Sequence, residues 1–366
     1  MNIPVYKPFL DGNELIYANE AINSSWISSK GSFINKFEFE FSRFTGIKKC
    51  LTVSNGTVAL HLALLALGIG KGDEVIVPTL TYIASVNCIK YVGAKPVFVD
   101  CSYDNWQLSI DDLHKKITSK TKAIIAVHLY GFPSPIKEIQ KISKNKKIFL
   151  IEDCAEAIGT KISDKHVGNF SDIATFSFYG NKTITTGEGG MVATNNASLA
   201  DKIYKLKTQG LSSDREYWFE VIGYNYRMTN ICAAIGYAQL ENINKILKKK
   251  RFIFEYYFEK LSKNNLTFQS EIYEEDQSSY WMVCFLTRKK YDRDNLRQYL
   301  AEKHIETRPI FNPIHLMPMY DNPKLRFRNS EEISKRGINL PSFPSLSVNQ
   351  LDYICEIIID FYKKLQ

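Results

Sequence analysis

Residues 177–191 read SFYGNKTITTGEGGM and set one lysine, Lys182, among glycines at the end of an apolar, strand-like run. Residues 174–178 alternate small or polar side chains with bulky ones, as a buried strand does. Gly180 breaks that pattern two residues before the lysine. Gly187, Gly189 and Gly190 punctuate the far side, and residues 191–194 read as a second short strand. The expectation is a tight loop carrying Lys182 between two strands. A lysine partly withdrawn from water loses some of its preference for the charged form, so its free amine becomes available to a carbonyl near neutral pH. Most of the 47 lysines and arginines must be solvated charges. Phe176, Phe178 and Tyr179 around Ser177, followed by three glycines, do not make an ordinary surface loop.

Upstream, residues 51–70 (LTVSNGTVALHLALLALGIG) pass from a short strand through Ser54-Asn55-Gly56-Thr57 into an apolar helix. A capping side chain, a glycine and the free N–H groups of a helix start suit an anion such as phosphate, although the same turn would cap any buried helix. EVIVP, a helix over 84–91 and PVFVD then make a βαβ unit of a parallel sheet. Tyr82 follows the first of those strands, at the end where open α/β sheets place ligands, and its ring could stack on a planar group or simply fill the core. Two more strands, at 123–131 and 147–154, flank a helix-like stretch over 134–144. The second ends on Asp153, a buried carboxylate that needs a partner. Glu152 beside it reads as a redundant charge.

Downstream, residues 214–231 (DREYWFEVIGYNYRMTNI) are aromatic and basic, the composition of an interface loop. An Ala-rich helix at 232–240 closes this part. A long helix over 242–261, a strand in YWMVCFLTR and amphipathic helices at 293–303 and 349–364 make a second unit. The proline-rich ETRPIFNPIHLMPMY at 306–320 reads as a loop over a site or interface, bringing Arg308 and His315. The division expected is a large domain over 1–240 and a small one over 241–366.

Composition bounds the rest. With 366 residues and 45% hydrophobic content the chain can bury a large core. No apolar run approaches the roughly 20 residues that cross a bilayer, and the N-terminus lacks a signal-peptide pattern, so a cytoplasmic protein without membrane partners is expected. Seven scattered cysteines without a C-x-x-C pair speak against a disulfide framework and against any metal site. The formal charge of +8 comes from dispersed lysines, so no nucleic acid is expected as partner. The densest run, KILKKKR at 245–251, reads as a solvated helix face.

SFYGNKTITTGEGG closely resembles the cofactor-lysine segment of the DegT/DnrJ/EryC1/StrS sugar aminotransferases. That resemblance implies an α/β protein of fold-type I: a large domain with a mostly parallel sheet and a smaller C-terminal α/β domain, binding pyridoxal 5'-phosphate. It makes Lys182 the catalytic lysine that bonds to the cofactor, whereas related sugar dehydratases carry histidine there. Gly56, Thr57 and Ser177 become cofactor contacts, Tyr82 the ring-stacking aromatic and Asp153 the partner of the pyridinium nitrogen. The family commonly has glutamine three residues beyond that aspartate, near the cofactor hydroxyl. This chain has Glu156, which would have to be protonated or paired with a donor to serve there. GYNYRMTN at 223–230 implies a homodimer with shared sites, Asn225 reaching the partner's cofactor phosphate.

The likeness runs along essentially the whole chain and is strongest to members acting on GDP-linked sugars. It includes NSSWISSKGSFI at 23–34 and INLPSFPSLS at 338–347. It makes Trp26, Ser28, Ser29, Arg215, Tyr217, Arg308 and His315 substrate-side candidates. It implies transfer of an amino group from L-glutamate to C4 of GDP-4-keto-6-deoxy-D-mannose, for O-antigen or similar polysaccharide. The alternatives are a UDP- or dTDP-linked 4-keto-6-deoxy sugar, or a catalytically silent cofactor-binding sensor. A nucleotide-sugar dehydrogenase is disfavoured, since no G-x-G-x-x-G opens the first helix.

Overall fold

The lysine's own strand shows how the layers form. Along it Ile173 packs into the apolar cluster built on the helix Gly56–Ala66, while Ala174 and Phe176 pack into a second cluster with Phe37 and Phe41. A strand covered on both faces belongs at the centre of a three-layer α/β protein. The computed structural model describes residues 2–365 apart from Ser213, Asp321 and Pro323.

In chain order the strands are β1 (Lys49–Val53), β2 (Glu74–Pro78), β3 (Lys95–Val99), β4 (Thr121–Val127), β5 (Phe149–Asp153), β6 (Lys161–Ile162), β7 (Lys165–His166), β8 (Ile173–Ser177) and β9 (Gly190–Thr194). Seven of them form one sheet in the order β1-β9-β8-β5-β4-β2-β3. β3, β2, β4, β5 and β8 run parallel, and β9 is antiparallel to both β8 and β1. The short β6 lies outside this sheet and pairs with β7 on one side and with β11 (Asp276–Gln277) on the other.

After the long helix Ile243–Leu261, an antiparallel sheet forms from β10 (Thr267–Phe268), β12 (Val283–Leu286), β13 (Arg308–Pro309) and β14 (Gly337–Leu340), in the order β10-β12-β14-β13. Its apolar side packs on the helices Ile243–Leu261 and Val348–Lys364. Ile3 bridges to Ile305 and is buried in the same cluster, so the first residues of the chain pack with its last third.

Three expectations change. The segment at 306–320 is not wholly irregular, because β13 lies at a sheet edge, where a proline costs no interior ladder bond. A polar helix, Arg328–Arg336, precedes β14 unannounced. The run KILKKKR is not a uniformly solvated face: Ile243, Ile246, Lys250, Ile253 and Tyr257 form the buried stripe of their helix, with Lys250 only 1% exposed. All seven cysteines are unpaired thiols, and no described helix is long and apolar enough to cross a membrane.

Candidate active site

β4 and β5 end level with each other, Val127 opposite Asp153, and Asp153 stands opposite Thr175 of β8, which runs on to Ser177. Their carboxyl ends open into a cavity of about 540 Å³. Successive residues of a strand face opposite ways. Asp153 therefore lines the cavity while Glu152 turns to the other layer, where it meets His128 Nε2 at 3.1 Å and accepts from the Gly168 and Phe170 amides. Glu152 is thus not a redundant charge for Asp153. Asp153 accepts from the Ser85 hydroxyl at 2.7 Å and from the Ala155 amide at 3.1 Å.

The helix Gly56–Ala66 aims its N-terminus into the same cavity. Asn55 caps it, its side-chain oxygen accepting from Val58 N at 3.0 Å. The first N–H groups of a helix have no acceptor within it, so the amides at Gly56 and Thr57 form an anion cradle. Two chain crossings keep that cradle bare. A Cβ on Gly56 would lie 2.8 Å from the Ser177 Cβ, and one on Gly190 would lie 2.6 Å from the Asn55 carbonyl.

Lys182 enters from the loop between β8 and β9. That loop is closed by Phe178 N to Gly189 O at 2.8 Å, Thr186 N to Phe178 O at 2.9 Å and Lys182 N to Tyr179 O at 2.9 Å. The amine lies 3.7 Å from Glu156 Oε1 and 4.0 Å from the Trp281 ring centre. The other Glu156 oxygen accepts from Tyr130 N at 2.8 Å. Burial lowers the lysine's pKa, opposed by Glu156 and Asp153. Burial also pushes the Glu156 carboxyl up to about 7, against the pull of Lys182. Both groups are thereby moved toward their neutral forms.

Gly56, Thr57, Tyr82, Asp153, Glu156, Ser177 and Lys182 all line this one cavity. Asn225 does not: it is exposed, and its side-chain oxygen accepts from Arg227. Trp26 lines a separate depression with Lys30 and Asn230, while Ser28 contributes its carbonyl to Asn230 N. Ser29 is half-buried and lines neither cavity. Arg215 lies over Trp218 and Tyr217 is almost fully exposed, away from the cavity. Arg308 lines an adjoining cavity that shares Tyr179, Asn181, Trp281 and Phe311 with the first, and it pairs with Glu306 at 2.6 Å. His315 is a correction. It is buried, held by Thr79 Oγ1 at 2.8 Å and Glu331 at 3.3 Å, so its ring nitrogens are engaged in packing.

The sequence did not single out Ser85, Asn181, Trp281 or Phe311. Trp281 and Phe311 arrive from the second unit and flank Lys182 and Tyr82, and only the aromatic-rich start of YWMVCFLTR hinted at the former. Asn181 Oδ1 is buried without a partner among the described residues, an acceptor left over at the cavity wall. A cradle of amides and hydroxyls, a carboxylate at the far wall, an amine between them and flanking rings together fit pyridoxal phosphate.

Residues 8–359 match the model of the DegT/DnrJ/EryC1/StrS aminotransferase family. The chain is similar to a GDP-perosamine synthase of Escherichia coli O157:H7, 56% identical over 363 residues that cover 98% of both proteins. It is 48% identical to another of Vibrio cholerae, over 98% of this chain and 99% of that one. Among solved structures, the PLP form of Spr1654 from Streptococcus pneumoniae superposes with a TM-score of 0.95 at 27% identity, covering 100% of each chain.

Proposed function

The chain belongs to the DegT/DnrJ/EryC1/StrS aminotransferase family, and from that premise we propose that it moves an amino group from L-glutamate to C4 of GDP-4-keto-6-deoxy-D-mannose, giving GDP-perosamine. What carries the chemistry is one observation: the Lys182 amine lies 3.7 Å from Glu156 in the cavity that also holds Asp153 and the helix N-terminus. The choice of sugar is supported by end-to-end likeness to two proteins named GDP-perosamine synthase.

Pyridoxal phosphate, the family's cofactor, supplies when bound a conjugated ring that takes up the electron pair left when a carbon next to nitrogen loses its proton. The chain's own residues do the rest. The Gly56 and Thr57 amides with the Thr57 and Ser177 hydroxyls would hold the phosphate. Asp153 would keep a proton on the ring nitrogen, Tyr82 would cover one face, and Glu156 in its protonated form would donate to the ring oxygen. Lys182, once its amine is free, is placed to carry a proton between carbons on either side of the nitrogen. Trp281 and Phe311 exclude water from that amine. We take the protein to be a homodimer in which Asn225 serves the neighbouring cavity, and its two domains to divide near residue 240.

The reading is tested by comparing kcat/KM for GDP-4-keto-6-deoxymannose with that for UDP-4-keto-6-deoxy-N-acetylhexosamines, with glutamate as donor. A site whose polar groups fit one base and sugar rejects the other by about 10⁴-fold, because the wrong ligand leaves those groups unpaired. A higher value on the UDP sugar overturns the GDP assignment.

A further inference from the structure

Lys250 is a buried cation in the core stripe of the helix Ile243–Leu261, 1% exposed, where the pattern calls for an apolar side chain. Among the described residues no carboxylate offsets it. Its amine instead donates to two backbone carbonyls, Trp281 O and Ser342 O, both at 2.8 Å, and lies 5.2 Å from the centre of the Tyr6 ring. A buried ammonium without an ion-pair partner is unfavourable unless its donors are used, so this one must be matched closely by its surroundings.

Each of these contacts leads to the reactive lysine. Trp281, held at its carbonyl by Lys250, places its ring 4.0 Å from the Lys182 amine and donates its indole N–H to Asn181 O at 2.6 Å. Tyr6, lying against the Lys250 amine, donates its hydroxyl to the backbone carbonyl of Lys182 at 2.5 Å. Ser342 closes the ring of contacts: its amide donates to Val5 O at 3.2 Å, beside Tyr6, and its hydroxyl accepts from Val283 N at 2.9 Å, two residues beyond Trp281.

We propose that Lys250 is a positioning residue for Lys182: from behind the cavity it fixes Trp281 and Tyr6, the two side chains that bracket the reactive lysine at its amine and at its backbone. Met would fill the same core volume, but it could hold neither carbonyl. Burial lowers the Lys250 ammonium to about 7. The neutral amine still has two N–H donors for the two carbonyls, so the clamp survives loss of the proton.

The inference rests on Lys182 being the cofactor lysine, which borohydride bleaching of the colour of the wild-type holoenzyme checks separately. Lack of bleaching would sink that reading and this inference with it. The test proper is Lys250→Met in the full-length holoenzyme, with Lys248→Met on the exposed face of the same helix as control. Two readings are taken: steady-state kinetics, and the pH midpoint of the cofactor absorbance band, which reports the surroundings of Lys182. Glu156 and Asp153 are the charged groups facing Lys182, and neither is altered. Lys250→Met is expected to lower kcat about tenfold with the sugar KM within about twofold, since misplacing a reacting group costs rate more than binding. It is expected to shift the absorbance midpoint, while Lys248→Met leaves both readings unchanged. A folded Lys250→Met protein with the wild-type midpoint and kcat, whatever its Tm, overturns the proposal. If Met prevents folding, Lys250→Gln, which keeps an N–H donor for one carbonyl, is read the same way: a shifted midpoint supports the clamp and a wild-type midpoint refutes it.

Discussion

Glu156 and Lys182 face each other across 3.7 Å with both side chains out of water, and the sign of their pH dependence follows from burial. The folded protein holds the Glu156 proton up to about 7, against an ordinary value of 4.5. Between those two values the unfolded chain has released a proton that the folded one keeps. Stability is therefore fully present below the lower value and is lost as pH rises through the upper one. Lys182, depressed by burial, contributes with the opposite sign above its own folded pKa. Glu156→Gln removes the first effect. In thermal unfolding of the cofactor-free proteins, the wild type should lose stability relative to the variant from about pH 5 to about pH 7.5. The loss should reach about 3 kcal/mol at most, because a tenfold change in proton affinity corresponds to about 1.4 kcal/mol. Parallel Tm profiles would mean that Glu156 is not held protonated. Neither the proximity of this pair nor the role of Trp281 could be read locally. Glu156 was placed by its offset from Asp153, but the indole against Lys182 belongs to the segment just before β12, about a hundred residues away.

At the level of elements, the glycines around Lys182 look alike in sequence and differ in the structure. A Cβ on Gly180 would meet nothing within 4 Å, whereas one on Gly190 would press on the Asn55 carbonyl and the Gly56 amide at 2.6 and 2.9 Å. Gly180 is thus not required by packing. Gly190 is, because β9 must pass close to the turn that starts the helix Gly56–Ala66. Gly190→Ala should loosen pyridoxal phosphate by about tenfold, as expected when a backbone cradle is displaced, while Gly180→Ala binds normally. Titration of both cofactor-free proteins with the cofactor decides it, and equal affinities would sink the argument. The same contrast explains what was legible. Strands β2 to β5 and the helix Gly56–Ala66 carry their own apolar periodicity, so these elements and a βαβ unit of a parallel sheet were readable. The helix Arg328–Arg336 has one buried apolar residue, Ile333. Its first turn is satisfied by Asp100, which accepts from Asn329 N at 3.1 Å and Ser330 N at 2.9 Å. A cap that distant in sequence leaves no local signal.

For the whole molecule, the cavity is walled by the sheet's carboxyl edge on one side and by Trp281 and Phe311 on the other, so both units of the chain complete it. The resemblance implies a third contributor, a neighbouring protomer. Asn225 is exposed and lines no part of its own chain's cavity. It follows a loop on which Tyr217 and Ile222 are each 90% exposed and Trp218 and Phe219 about half exposed, an apolar stretch that gains by being covered. If that cover is a second copy and Asn225 completes its cavity, two inactive variants can rescue each other. In a dimer of one Asn225→Ala chain and one Lys182→Ala chain, one cavity combines an intact lysine with an intact asparagine and the other has neither. Random exchange of equal amounts makes half of the dimers mixed, each with one complete site, so roughly a quarter of wild-type activity should return from a two-fold symmetric assembly. The measurement is transamination before and after subunit exchange, with exchange proved by differently tagged chains. Exchange without recovered activity would place the action of Asn225 within its own chain.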